Sequence, residues 1–132
     1  MATIEQIVRD GHGSASNGKW RVYRSDSDPF RGTEYELWHH GTLMLRWRQS
    51  TRYGVEILSA STGHGSVSDQ GGMNTAFSVL GVPYYYSRRG RASILDWTDP
   101  DDRSQAPKYR QEHPGLFGQA TDWDPRIKSF MV

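Results

Sequence analysis

The chain has 132 residues, no cysteine and a formal net charge of +1. That length fits one domain with a single core, and the missing cysteines exclude disulfides, iron–sulfur clusters and thiolate zinc sites. The near-neutral balance removes bulk attraction to nucleic acid or anionic membrane. No apolar run approaches the ~18 residues of a membrane span, so no membrane partner is expected.

Residues 2–10 place Ile4, Ile7 and Val8 on one side of a short helix that Gly11 and Gly13 end. Trp20 and Val22 then alternate with Arg21 and Tyr23, a strand period, and residues 25–32 read as a polar loop. The strongest alternation runs through 33–49: Tyr35, Leu37 and His39 against Glu34, Glu36 and Trp38, then Leu43, Leu45 and Trp47 against Met44, Arg46 and Arg48. His39-His40-Gly41 is a hairpin turn between them, with Gly41 at the positive-φ position. A turn at 51–54 leads to a strand at 55–59. These three strands form an antiparallel meander.

The best helix spans 66–80. Ser66 and Asp69 match a capping box, Met73, Ala76, Phe77 and Leu80 make a core stripe, and Gly81 with Val82-Pro83 stops it. The pair Gly71-Gly72 marks either close backbone packing or a helix that starts only after it. A second hairpin is expected from 83–87 and 91–97, turning at Arg88-Arg89-Gly90. The fold class is therefore α+β: a three-stranded antiparallel meander, a central helix, a second hairpin and a long irregular C-terminal segment. Residues 1–97 form the domain, and 98–132 extend from it to dock on the body or on a second subunit, a route to a homo-oligomer.

Gly-His-Gly-Ser occurs twice, at 11–14 and 63–66. The second copy enters the best helix, where backbone N–H groups can hold an anion. Gly63, His64, Gly65, Ser66 and Ser68 are the ligand-binding candidates there. Arg88, Arg89 and Arg91 would balance charge, and Tyr85 would stack on a base. The competing reading is a helix start whose own side chains satisfy its N–H groups. His12, His40 and His64 each precede a Gly and then a hydroxyl residue, which resembles the His-x-Ser/Thr triplets of two-histidine phosphoesterases. That family places the triplets on strands with an apolar middle residue; here the middle residue is Gly and each triplet falls at a turn.

Other chemistry is absent from the pattern. Asp99, Asp101 and Asp102 lack the Gly and distal Glu of a calcium loop, and neither a metal nor another cofactor is expected. The adjacent His39 and His40 read as structural or surface residues. Aromatic–arginine interleaving at 20–24, 46–48 and 84–91 admits a nucleic-acid-binding reading.

His40-Gly41-Thr42, Ser66 to Asn74 with its Ser-x-Ser-Asp-x-x-Gly-Met-Asn pattern, and Tyr84 to Gly90 together resemble small uncharacterised bacteriophage proteins, especially those of actinobacterial phages. The resemblance implies a phage accessory protein and no established activity; with no membrane span in the sequence, the host cytoplasm is the expected location. The expected function is thus non-catalytic binding of a host protein or a phosphorylated small molecule. A nucleotide phosphoesterase, a nucleic-acid binder and a virion or assembly component are the alternatives.

Overall fold

Period-two alternation shapes the first half of the chain, and the two glycine-stopped helical stretches cover the face it buries. The computed structural model describes residues 2–16, 18–88, 90–96 and 98–99. In chain order the elements are α1 (Ile4–Asp10), β1 (Gly13–Ala15), β2 (Trp20–Asp28), β3 (Gly32–His39), β4 (Thr42–Ser50), β5 (Gly54–Ala60), α2 (Val67–Leu80), β6 (Tyr84–Ser87) and β7 (Ser93–Asp96). The expected C-terminal segment lies outside the described residues, apart from residues 98 and 99.

The α+β class stands, but the three-stranded meander does not. β1 to β5 form one five-stranded antiparallel sheet in sequence order, and β6 with β7 makes a separate hairpin. The discrepancy lies at β1 and β2. Ser25 to Asp28 carries no apolar residue, yet after a bulge it continues β2 by pairing Asp26 with Glu34, Ser27 with Thr33 and Asp28 with Gly32. A neighbouring strand's backbone recruits these polar residues, because ladder hydrogen bonds do not need an apolar side chain. β1 is three residues of low strand propensity, held through Ala15 opposite the buried Trp20.

Capping follows the sequence closely. Thr3 and Gln6 close a capping box on α1, as Ser66 and Asp69 do on α2, and Gly11 and Gly81 end the two helices in the left-handed region. At the β3–β4 turn the positive φ expected of Gly41 falls on His40 instead, at 56°.

Trp20, Val22, Leu37, Leu45 and Trp47 from one face of the sheet join Ile7 and Val8 of α1 and Met73, Ala76, Phe77 and Leu80 of α2 in one core. Gly72 makes the close approach possible. A Cβ there would lie 2.7 Å from Trp20 Cε2 and nearer still to Cζ2 and Cη2, so the helix backbone rests on the indole. At α2 the hairpin is held by Asn74, whose Oδ1 accepts from the Tyr86 N–H at 2.7 Å and whose Nδ2 donates to the Tyr86 carbonyl at 3.0 Å. The side-chain amide thus occupies the place of a strand neighbour for β6.

On the opposite face of the sheet Glu34 and Glu36 stand opposite Arg48 and Arg46. Arg48 bonds Glu34 at 2.6 Å and Glu56 at 3.4 Å, and Arg46 bonds Glu34 at 3.3 Å. These partly exposed pairs set strand register more than they stabilise, at a few tenths of a kcal/mol to ~1 kcal/mol each.

Candidate functional site

The inward face of β3 carries Tyr35, Leu37 and then a polar residue, His39. Its ring lies flat on Trp20, its cross-strand partner, with centroids 3.9 Å apart and planes 8° from parallel. Trp20 is itself clamped by the Gly72 backbone, so the imidazole has a fixed plane. Only 6% of His39 is exposed. A buried imidazole needs partners for both nitrogens, and the start of α2 supplies them. Nδ1 is 2.6 Å from Asp69 Oδ1, and Nε2 is 3.2 Å from Ser68 Oγ.

Asp69 is 2% exposed and occupies the third position of α2. Its Oδ2 accepts the backbone N–H of His64 at 3.0 Å and of Ser66 at 3.2 Å. Burial alone would push its carboxyl up; the bonds from His39, Ser66 and His64 outweigh that and hold it below the ordinary carboxylate value. An ionised Asp69 requires the proton of a neutral imidazole to sit on Nδ1. Nε2 is then the acceptor for the Ser68 hydroxyl. Ser68 is exposed on the second residue of the helix. The result is a carboxylate–imidazole–hydroxyl line running from the interior to the surface.

A bulge in β4 positions the loop that holds Asp69. It inserts Met44 between Leu43 and Leu45, and both Met44 and Leu45 are buried. The Met44 carbonyl accepts the Ser61 N–H at 2.8 Å, while its thioether packs on Gly63, where a Cβ would sit 2.8 Å from the sulfur. Tyr86 donates its hydroxyl to the Thr62 carbonyl. Burial and the Asp69 charge push that phenol up, which keeps its proton in place for this bond.

The residues expected to bind an anion lie together at this loop, and the N–H groups of the first four, Gly63 to Ser66, are already engaged. Gly63 N–H goes to Ser61 Oγ, Gly65 N–H to the Thr62 carbonyl, and those of His64 and Ser66 to Asp69. The chain's own carboxylate fills the nest. At the helix start, the N–H groups of Val67 and Ser68 have no acceptor among the described residues. Arg88 does reach this edge, donating from Nε to the Gly65 carbonyl at 2.8 Å. Arg91 is exposed in the β6–β7 turn, and Arg89 lies outside the described residues. Tyr85 is turned into the interior at 1% exposure, away from any base that would stack on it.

Of the three histidines offered for a phosphoesterase, His40 and His64 are exposed near Ser68's loop and turn, and His12 is exposed between α1 and β1. The imidazole that meets a hydroxyl and a carboxylate is His39, which sequence reasoning set aside. Its position on the same alternation as Leu37 was the available signal: an inward polar residue must find buried partners. Trp20, Trp47, Tyr85 and Tyr86, from the aromatic–arginine stretches, are core residues, so these stretches build no continuous aromatic platform. Among the described residues no group of three or more His, Asp or Glu is arranged to hold a metal ion, and no helix is long and apolar enough to cross a membrane. Comparison with family models, with curated proteins and with solved structures gives no match.

Proposed function

We propose that this protein is a hydrolase that uses Ser68 as the nucleophile against an ester. The hydrogen-bonded line Asp69–His39–Ser68 carries the reading. Ser68 Oγ attacks the carbonyl carbon as its proton passes to His39 Nε2, and the carbonyl π pair moves onto oxygen. Asp69 holds the tautomer and balances the imidazolium charge. Collapse of the tetrahedral intermediate expels the alcohol, which leaves with the proton from Nε2, and water then releases the acid by the same steps. The N–H groups of Val67 and Ser68, without an acceptor among the described residues, are the donors this helix start offers to the transient oxyanion.

The arrangement departs from a surface serine in two ways. The imidazole plane is fixed by stacking rather than by solvent, and the carboxylate is fully hydrogen-bonded in the interior. This preorganisation is what nucleophilic catalysis needs. The role as a phage accessory protein, proposed from the sequence resemblance, would place the reaction in an infected host.

The test is covalent labelling of the purified full chain by a fluorophosphonate, read by intact mass and peptide mapping. One adduct on Ser68 is expected, absent in Ser68→Ala and reduced at least tenfold in His39→Gln. Labelling no faster than in urea-unfolded protein refutes the reading.

A further inference from the structure

We propose that the substrate taken at Ser68 carries a negative charge of its own, beyond the ester, and that Arg88 is the residue that selects it. The inference rests on the Ser68 reading for its chemistry. Its support is the charge at the border of the site.

Three segments surround Ser68: the β3–β4 turn, the loop and first turn from 61 to 70, and the end of β6 with its turn. The exposed polar side chains they present are His40, His64, Arg88 and Arg91. Asp69 is the single acidic residue in residues 39–42, 61–70 and 86–91, and its carboxylate is consumed by His39, His64 and Ser66. Among the described residues of these three segments the border therefore holds permanent positive charge without an exposed carboxylate to cancel it.

Arg88 is placed for this purpose. Its Nε is tied to the Gly65 carbonyl, in the loop that leads directly into Ser68. That bond holds the guanidinium at the loop three residues before Ser68, and a guanidinium matches the paired oxygens of a carboxylate or phosphate. On the other side the His40 ring lies 4.5 Å from the His39 ring, exposed, on a backbone at φ 56°. A non-glycine residue at that φ is strained, and Gly41 follows it immediately. The turn thus carries an imidazole at the mouth of the site at a position that glycine would occupy without strain. His40 and His64 offer hydrogen-bonding groups to the same anion that Arg88 attracts.

The experiment compares p-nitrophenyl acetate with mono-p-nitrophenyl succinate, which adds one free carboxylate to the ester. The wild-type chain should hydrolyse the succinate with a kcat/KM at least tenfold higher. Arg88→Gln should remove most of that ratio by raising KM for the succinate well beyond any change in the acetate kinetics. Added salt should narrow the ratio as well. In parallel, inorganic phosphate is titrated against Ser68→Ala and against Ser68→Ala with Arg88→Gln, following heat release.

Phosphate binding that depends on Arg88 supports the anion inference even when neither ester turns over, and in that case the nucleophile reading alone falls. Equal hydrolysis of the two esters, an Arg88→Gln effect on both alike, or phosphate binding that ignores Arg88 overturns the inference and leaves Ser68 chemistry standing.

Discussion

Alanine substitutions at Gly71 and Gly72 should move stability in opposite directions. Both are interior to α2, where glycine costs about 1 kcal/mol relative to alanine. A Cβ at Gly71 meets nothing within 4 Å, so Gly71→Ala should gain most of that amount. At Gly72 the new methyl would overlap the Trp20 indole along three ring atoms. The indole has little freedom to shift, because the His39 ring is stacked on it at 3.9 Å. Overpacking of a rigid core typically costs about 1–3 kcal/mol, and here the upper end applies; after the propensity gain Gly72→Ala should lose about 2 kcal/mol. The two variants then differ by roughly 3 kcal/mol, or about 2 M in urea midpoint for a domain of this size. Far-UV circular dichroism measures it, with the denaturant slope unchanged. A Gly72→Ala midpoint at or above that of Gly71→Ala refutes the packing of helix on indole. It would remove the support for the His39 plane as well.

Two further outcomes follow from the same network. Because the folded Asp69 carboxyl lies below its ordinary value of 3.8, its contribution to stability is fully present above that value and is lost as pH falls through the lower folded value. The urea midpoint should therefore decline below about pH 4. Asp69→Asn should flatten that part of the profile while lowering stability near neutrality by about 2–3 kcal/mol, through loss of charge assistance at three hydrogen bonds. Asn74→Leu should cost about 2 kcal/mol by leaving the buried Tyr86 N–H without its acceptor. The Tyr86 carbonyl keeps Gln70 Nε2 at 3.3 Å; thermal unfolding checks the value, and an unchanged midpoint would show that water replaces the Asn74 side chain.

Local rules read well wherever the physics is local. The Ser66–Asp69 capping box, the Gly11 and Gly81 stops, the alternation of β3 and β4 and the glutamate–arginine register across them all depend on residues a few positions apart or on one hairpin. The polar half of β2 was not legible, because Ser25 to Asp28 become strand only when β3 lies alongside. The same limit applied to the β3–β4 turn, where His40 rather than Gly41 has the positive φ. At Gly72 one of two open explanations held: close packing, against an aromatic 52 residues earlier in the chain.

The site divides in the same way. Composition and periodicity determined that the chain forms an α+β domain without thiol chemistry, and that α2 starts at Ser66 with Asp69 closing the cap, since these follow from side-chain type at short spacing. Only the tertiary structure decided what Asp69 does besides capping. The sheet brings His39 across 30 residues to its free carboxylate oxygen, and Trp20 and Gly72 lock the ring where Nε2 faces Ser68. Sequence spacing carries no record of that meeting, because the strand and the helix start are joined by packing rather than by any local period.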